Sequence, residues 1–144
     1  MHIREVAPDD AAEWAWRRAE LWSGDHEREI AEFLAGSRAA CEMVYVIARG
    51  EGRIGGFIER STRSYAEGCA TSPVAYVEGW YVDADLRRTG VGRRLMEAAE
   101  TWDRDRGYSE LASDCDIDNE ISFLAHTAIG FDETDRIICF RKEL

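Results

Sequence analysis

The sequence predicts an α/β fold in which a mixed β-sheet is flanked by helices. Helical and strand periodicities follow one another along the chain in the order βααββ and then βαβαβ. A glycine-rich turn joins a central apolar strand to a long amphipathic helix in the second half. The chain has 144 residues, the size of one ordinary domain, and no linker or internal repeat. We therefore expect a single domain over residues 1–144.

Helices are predicted in the first quarter of the chain. Asp10 and Glu13 form a capping-box pattern, after which apolar residues recur at helical spacing as far as Trp22. A second helix is predicted from about residue 27 to residue 35, with Gly36 as its stop signal. Its apolar residues Ile30, Phe33 and Leu34 lie on one face.

The periodicity then changes to that of strands. Residues 43–48 and 53–61 flank the turn sequence RGEG and predict a β-hairpin. Residues 62–73 are polar and rich in turn formers, which predicts a loop. Residues 74–82 are apolar on both alternating faces, which indicates a central strand covered on both sides.

Helices and strands alternate in the last third of the chain. Apolar residues repeat at helical spacing over residues 91–102 and predict a long helix. Residues 110–113 predict a short strand, and a further helix begins near Asp118 or Asn119 and ends at Gly130. Residues 136–142 predict a closing strand.

Composition excludes several classes of function. The chain has 29 acidic and 18 basic residues, which disfavours nucleic acid and anionic membranes as partners and favours a cationic ligand. No stretch approaches the ~20 apolar residues of a membrane span, and the first residues lack the apolar core of a secretory signal, so we expect a cytoplasmic protein. The four cysteines have no zinc-like spacing, which predicts reduced, mostly buried thiols and no metal site.

The turn before the long helix has the pattern R-x-x-G-x-G, from Arg87 to Gly92. Backbone N–H groups at the positive end of a helix dipole form a ready site for phosphate. The pattern lacks the third glycine of the dinucleotide fingerprint and the G-K-[ST] of a P-loop. Taken alone, these six residues equally fit a tight strand-to-helix turn with solvated arginines.

Glu78 stands inside the apolar central strand. An isolated ionised carboxylate in a low-dielectric core is costly, so Glu78 needs a partner or a chemical purpose. A carboxylate tuned toward neutrality by burial is what a general base for an amine requires. The alternative is a bulge beside Gly79 and an ion pair with an arginine such as Arg60. The residues alone leave both interpretations open.

Together these features resemble the GNAT acetyltransferase superfamily, whose R-x-x-G-x-G loop binds the pyrophosphate of acetyl-CoA. The order of elements, the pair Gly130-Phe131 and the position of Asn119 are also similar. Four segments resemble more narrowly the aminoglycoside 6'-N-acetyltransferases: LW at 21–22, SPVAYVEGWYV at 72–82, ASD at 112–114 and ETDRI at 133–137. The resemblance implies a GNAT fold, with a mixed, mostly antiparallel central sheet flanked by helices.

The resemblance implies acetyl-CoA as cosubstrate, with no metal. Trp80, Tyr81 and Val82 would pair with the pantetheine arm like an added strand. Asn119 would hydrogen-bond the pantetheine or the departing thiol in addition to capping its helix. The diphosphate loop would comprise Arg87, Arg88, Thr89, Gly90, Val91, Gly92 and Arg93.

The resemblance also implies an acidic acceptor cleft, with Glu78 as general base and Asp114 beside it. The implied contacts to the acceptor come from Trp22, Asp25, His26, Tyr65, Glu78, Asp114 and Asp135. The resemblance does not distinguish whether Asp25 or His26 would contact the acceptor. Trp22 has core packing as its alternative role, Asp114 a turn and Asp135 a solvated loop. Tyr65 lies in a loop that some relatives reach across a dimer, which implies a homodimer.

His126 takes the position where many GNAT enzymes carry a tyrosine, four residues before the glycine of the GF pair. A histidine, with an ordinary pKa of about 6.5, could protonate the departing CoA thiolate. Alternatively the ring packs near pantetheine and solvent supplies the proton. The sequence leaves both roles open.

The sequence thus predicts an acetyl-CoA-dependent N-acetyltransferase that acts directly in a ternary complex. No cysteine has a convincing nucleophile context, although Cys115 follows Asp114 directly. The expected acceptor is the 6'-amine of an aminoglycoside antibiotic, which would confer resistance, with a main-chain N–H near Tyr81 or Val82 stabilising the oxyanion. The alternatives are acetylation of a polyamine or protein amine, and a non-catalytic acyl-CoA sensor.

Overall fold

A computed structural model describes residues 1–144 and contains one five-stranded sheet in the order β1-β2-β3-β4-β5. The strands are β1 (His2–Glu5), β2 (Met43–Gly50), β3 (Arg53–Arg63), β4 (Val74–Val82) and β5 (Leu111–Ser113). The helices are α1 (Ala11–Ala19), α2 (His26–Leu34), α3 (Val91–Asp105) and α4 (Glu120–Ala128). Strands β1 to β4 pair antiparallel and β5 pairs parallel to β4. The predicted mixed, mostly antiparallel sheet flanked by helices is confirmed.

The core lies on both faces of this sheet. On one face, α1 and α2 cover β2 and β3, and the buried cluster includes Trp14, Ile30, Phe33, Val44, Val46 and Phe57. On the other face, α3 covers the same strands and β4, and the cluster includes Ile47, Ile58, Val77, Leu95, Met96 and Ala99. Covering on both faces explains why the central strands are almost continuously apolar. No helix is both long and apolar enough to cross a membrane.

A β-bulge in β4 sets the direction of the site residues. Gly79 is opposite Glu59 and Val77 is opposite Arg60, so Glu78 has no counterpart on β3. The side chains before and after the bulge pack toward α3. Glu78 and Gly79 therefore both face the α1–α2 side of the sheet, which strict alternation would forbid.

The edge of β4 is only half covered. Strand β5 pairs with Ala75–Val77 and stops at Ser113. The second half of β4, residues 78–82, consequently has no strand beside it on that side. This half of the strand forms an open edge, beside which an extended ligand can lie like an added strand.

The predicted capping box at Asp10 and Glu13 is wrong. The Asp10 carboxylate accepts the N–H of Ala7 at 2.8 Å, and it pairs with Arg4 at 2.7 Å. It thus caps the short turn at Pro8–Asp10, one turn before α1. The Arg4 guanidinium and the Ala7 amide outweigh burial and lower the pKa of Asp10.

The predicted strand over residues 136–142 is also wrong for this chain. Residues 132–144 form neither helix nor strand, because no strand of the same chain lies beside them. Their apolar side chains stay in solvent, with Ile138 80% and Phe140 92% exposed. None of the residues of helix α4 is buried.

The cysteines are all free, but the expectation that most are buried is wrong. Only Cys41 is buried, and that burial raises the pKa of its thiol. Cys69 is half-buried, whereas Cys115 and Cys139 are exposed because they follow β5 and lie in the final segment, outside the core.

Candidate active site

The arginine-glycine turn lies between β4 and α3, at the open edge. Gly90 has a φ of +89° and Arg88 a φ of +62°, so the chain enters the helix through two left-handed residues. Glycine adopts this conformation without strain, which explains its position there. The first N–H groups of α3 have no intrahelical acceptor and point out of the helix end. This is the geometry of a phosphate site.

Two arginines of the turn are held by carbonyl groups. Arg87 Nε donates to the Val82 carbonyl at 3.0 Å, and Arg93 Nη2 donates to the Ala128 carbonyl at 3.0 Å. Thr89 is also fixed, since its hydroxyl donates to the Leu86 carbonyl at 2.5 Å. The turn is therefore tied to β4 on one side and to the end of α4 on the other.

His126 lies across the open edge from β4. Its ring packs edge-on against Trp80 and against Phe131, with ring centroids 5.2 Å apart in each pair. Nδ1 contacts the Ser122 carbonyl at 2.7 Å, and Nε2 contacts the Ser113 hydroxyl at 2.7 Å. A carbonyl only accepts, so Nδ1 carries the proton and, in the neutral ring, Nε2 accepts from Ser113. Both ring nitrogens are engaged inside the protein.

Asn119 begins α4, as expected. Its side-chain Oδ1 accepts the N–H of Ser122 at 3.1 Å, which is the geometry of an N-cap. The side chain is exposed. The capping role is confirmed, and its contact with a cosubstrate stays a prediction.

Glu78 is partnered and only partly buried, which corrects the premise of an isolated core carboxylate. Its side chain is 23% exposed. Arg63 binds both carboxylate oxygens, with Nε at 3.0 Å from Oε1 and Nη2 at 2.7 Å from Oε2. The Ser61 hydroxyl donates to Oε1 as well. Glu78 thus lies at the predicted bulge, but its partner is Arg63.

Arg60, the partner named from the sequence, lies on the opposite face of β3. Its buried guanidinium pairs with Asp103 at 2.7 Å and with Glu42 at 3.2 Å, and it packs over the Trp102 ring. Because β3 alternates its side chains, residues one or three positions apart cannot serve the same face. Arg63, three residues further along β3, lies on the face of Glu78 and is its partner.

Asp114 and Glu78, the two carboxylates of the predicted acceptor cleft, are connected through two residues that the sequence did not single out. The Tyr76 hydroxyl donates to Asp114 Oδ2 at 2.7 Å. The Arg63 guanidinium carbon lies 3.6 Å from the centre of the Tyr76 ring. Burial, followed by the Asp114 carboxylate, raises the pKa of the Tyr76 hydroxyl. The cleft therefore contains a row of two carboxylates with one guanidinium between them.

Trp22 forms the wall of this cleft next to the bulge. A Cβ on Gly79 would lie 2.9 Å from the Trp22 ring, so only glycine lets the indole approach β4 so closely. The Arg18 guanidinium lies 4.8 Å from the ring centre. Arg18 is itself held by buried Glu59 at 2.6 Å and by Glu29 at 2.8 Å. Trp22 is therefore fixed in place beside Glu78.

Asp25 and His26 both have structural roles at the start of α2. Asp25 accepts the N–H of Arg28 at 3.3 Å and caps the helix. His26 Nε2 donates to the Trp22 carbonyl at 2.8 Å, and Nδ1 accepts from Arg18 at 3.2 Å. These bonds orient Trp22 and its helix. Contact of either residue with an acceptor stays a prediction.

Tyr65 and Asp135 lie in exposed segments near the cleft. Tyr65 is 67% exposed, and its neighbour Ala66 packs against Tyr76. The segment containing Asp135 is joined to the same loop, because the Thr134 hydroxyl donates to the Glu67 carbonyl at 3.1 Å. The loop and the final segment thus meet, while their contacts with an acceptor remain predictions.

Three residues around Glu78 were not predicted as site residues, namely Ser61, Arg63 and Tyr76, and only the alternation of side chains along a strand could have indicated them. Ser61 and Arg63 alternate onto one face of β3, and Tyr76 alternates with Glu78 on β4. The bulge hides this relation, because it shifts the register between the two strands. Ser113, which contacts His126, lies in the ASD segment and could have been named as the last residue of its strand.

Comparison with known sequences covers the whole chain. Residues 8–131 match the Acetyltransferase (GNAT) family. The aminoglycoside N(6')-acetyltransferase type 1 of Klebsiella aerogenes is 45% identical over 146 residues, which cover 99% of this chain and 96% of that protein. The enzyme of the same name from Stenotrophomonas maltophilia is 40% identical over 145 residues, covering 99% of this chain and 93% of that protein.

Comparison with solved structures gives the same result. The apo crystal structure of the 6'-N-acetyltransferase AAC(6')-IG from Acinetobacter haemolyticus has a TM-score of 0.86 and 31% identity, covering 100% of this chain and 99% of that chain. AAC(6')-Iy in complex with the bisubstrate analogue CoA-S-monomethyl-acetylneamine has a TM-score of 0.85 and 34% identity, covering 99% of this chain and 98% of that chain. The similarity in fold therefore accompanies similarity in sequence over the full length.

Proposed function

We propose that this chain, which belongs to the GNAT acetyltransferase family and within it to the aminoglycoside N(6')-acetyltransferases, transfers the acetyl group of acetyl-CoA to the 6'-amine of aminoglycosides. The observation that supports the proposal is the series of contacts from Glu78 through Arg63 and Tyr76 to Asp114, which lies beside the open edge of β4. Aminoglycosides are polycations, and an acidic cleft suits them. Acetylation removes an ammonium charge and would confer resistance.

The residues of the open edge fit acetyl-CoA. The pantetheine arm would pair with the backbone of Trp80, Tyr81 and Val82, which has no strand beside it. The diphosphate would lie on the N–H groups that begin α3, with the exposed guanidinium of Arg88 nearby. A main-chain N–H near Tyr81 or Val82 would stabilise the oxyanion of the tetrahedral intermediate.

Glu78 would take the proton from the acceptor ammonium, directly or through water. The free amine then attacks the thioester carbonyl carbon and gives a tetrahedral intermediate with a cationic nitrogen. As the C–S bond breaks, this nitrogen loses its extra proton and becomes the amide, and the departing CoA thiolate takes up one proton. Both substrates are bound together, so the chain itself forms no acyl intermediate. Asp114 and Asp135 would hold the remaining ammonium groups, and Trp22 and Tyr65 would contact the sugar rings. Asp25 and His26 would support the same side of the cleft.

His126 would form part of the cosubstrate wall. Its ring nitrogens already bond Ser122 and Ser113, which favours packing beside the thiol over direct proton donation. His126→Gln separates the two roles. Packing predicts a raised KM for acetyl-CoA with kcat nearly unchanged, whereas loss of an acid would lower kcat by about 10²–10⁴ at saturating acetyl-CoA.

The test of the function is product identification. Purified protein, acetyl-CoA and kanamycin or tobramycin should yield a product heavier by one acetyl group, and NMR should assign the modified nitrogen to the 6'-position. Spermidine and a lysine peptide serve as competing amines. Faster turnover of either amine would favour polyamine or protein acetylation, and CoA binding without turnover of any amine would favour an acyl-CoA sensor.

We further propose that the protein is a cytoplasmic homodimer. Four free cysteines suit a reducing compartment. The exposed apolar residues Ile121 and Leu124 of α4, together with Ile138 and Phe140, would be covered by a second copy. In that dimer, residues 136–142 would find the strand partner they lack here.

Light scattering tests the dimer and should give twice the chain mass. The double variant Ile138→Asp with Phe140→Asp should give a monomer. A monomeric wild-type protein would contradict the proposal.

A further inference from the structure

Arg63 occupies the position on Glu78 that a cationic acceptor would need. It ends β3, and its guanidinium binds both oxygens of the Glu78 carboxylate at 2.7–3.0 Å. The Arg63 side chain is 43% exposed and that of Glu78 only 23%. Arg63 is therefore the more exposed partner and already engages both carboxylate oxygens, so an ammonium group that binds Glu78 has to compete with it.

The surroundings of Arg63 provide a second place for its charge. The guanidinium lies over the Tyr76 ring at 3.6 Å, and Tyr76 bonds Asp114. An arginine that leaves Glu78 can keep this stacking contact with the ring and gain water on its exposed side. Displacing Arg63 from Glu78 therefore breaks a partly exposed ion pair and leaves no buried charge without a partner.

We propose that Arg63 is a stand-in for the acceptor ammonium, and that a polycationic acceptor binds by displacing Arg63 from Glu78. The proposal rests on the proposed function, since it places the acceptor at Glu78. A second ammonium on the acceptor can reach Asp114, which Arg63 does not bind. A monoamine exchanges one cation for another and gains little, so Arg63 selects for acceptors with several charges.

A double-mutant cycle with Glu78 tests the proposal. Arg63→Met keeps the stem over Tyr76 and removes the charge, and Arg63→Lys is the matched control that keeps it. Calorimetry with tobramycin on the CoA-saturated protein should show about a two- to fivefold lower Kd for Arg63→Met, the range expected for a partly exposed ion pair, and a Kd near that of wild type for Arg63→Lys. In a Glu78→Gln background there is no carboxylate to release, so Arg63→Met should change the Kd by less than the measurement error.

Other outcomes overturn the inference. A higher Kd in Arg63→Met would mean that Arg63 helps to bind the acceptor, and an unchanged Kd would mean that it does not compete. If Arg63→Met lowers the Kd equally in the wild-type and Glu78→Gln backgrounds, the effect comes from removing a positive charge and not from competition for Glu78. If wild-type protein binds CoA but not tobramycin, the proposed function fails, and the same cycle with spermidine decides the role of Arg63. Binding of neither polycation would overturn both proposals.

Discussion

At the scale of single residues, Glu78 is a partly exposed carboxylate whose position is fixed by Ser61 and Arg63. Glu78→Gln keeps its shape and its bond from Ser61 while removing the group that accepts a proton. We expect kcat for the 6'-amine to fall by about 10²–10⁴, the usual loss when a general base is removed. Activity should partly recover at high pH, where free amine forms without help. Steady-state kinetics across pH, with tobramycin as acceptor, measures both effects.

The control for this variant is its affinity for CoA, which calorimetry should find nearly unchanged. The fold should also survive, because Gln retains hydrogen bonding at a partly exposed site. If kcat stays at the wild-type value at every pH, Glu78 binds ammonium without acting as a base, and Asp114→Asn becomes the next variant.

How far sequence predicts a residue depends on whether its partners are local. The position of Glu78 at a bulge and the capping role of Asn119 followed from neighbouring residues, whereas the role of Asp114 in the acceptor cleft stays a prediction from family resemblance. Arg63 did not follow, because its pairing depends on a register shift between two strands. Sequence periodicity gives the face of a residue, but not the offset between strands.

A second residue-scale prediction concerns the buried carboxyl of Asp103. Burial raises its pKa to about 6 although Arg60 pairs with it. In the unfolded chain such a carboxyl titrates near 3.9. The folded state therefore holds a proton that the unfolded chain releases, and the stabilisation from this group, complete below about pH 4, is lost as pH rises through about 6.

Asp103→Asn removes this titration. Relative to the variant, wild-type protein should lose about 1–3 kcal/mol of unfolding free energy between pH 4 and pH 6.5. Urea denaturation at a series of pH values measures the difference, and Asp105→Asn, an exposed change on the same helix, should follow the wild-type curve. Parallel curves for wild type and Asp103→Asn would contradict the raised pKa.

At the scale of elements, the start of α3 can be tested without disturbing the fold. A Cβ at Gly92 would lie 3.4 Å from side-chain atoms of Trp80 and Val82, which is ordinary contact, and its φ is not left-handed. Gly92→Glu therefore folds but places a negative charge where the diphosphate binds. CoA affinity should fall at least about tenfold, since like charges in close contact cost several kcal/mol.

The matched control at this position is Gly92→Ala, which adds the Cβ without the charge and should keep CoA affinity within about threefold of wild type. Calorimetric titration with CoA compares the three proteins. Equal affinity in Gly92→Glu and Gly92→Ala would remove the start of α3 from the binding site.

Elements that are stabilised within the chain were predicted best. Strand β4 was expected at residues 74–82 and is found at Val74–Val82, because its apolar run is covered by helices of the same chain. The closing strand at residues 136–142 has strand-like residues but no neighbouring strand, so periodicity alone predicted an element that this chain does not form. The capping box failed for a related reason, since Arg4 and Ala7 compete for Asp10.

At the scale of the whole molecule, the basic and the acidic residues are suited to different ligands. The formal net charge is −11, yet arginines gather at the turn before α3, where a polyanionic cosubstrate would bind. The acidic remainder, including Glu78 and Asp114, would attract a polycationic acceptor. The arginines lie at the turn before α3, whereas the two carboxylates lie at the bulge of β4 and just after β5, so one chain can attract ligands of opposite charge to different parts of the site.

This distribution of charge predicts that the acidic surface attracts the cationic acceptor, and that salt weakens this attraction. The screening length falls from about 10 Å at 0.1 M salt to about 3 Å at 1 M, so attraction between the acidic surface and an aminoglycoside shortens to direct contacts. The KM for tobramycin should rise across this range, and more steeply than for an acceptor with fewer ammonium groups. Kinetics at fixed saturating acetyl-CoA measures this, with circular dichroism as the check that the protein stays folded. A KM for tobramycin that is independent of salt, in intact protein, would reduce the net charge to a determinant of solubility and leave recognition to the contacts at Glu78 and Asp114.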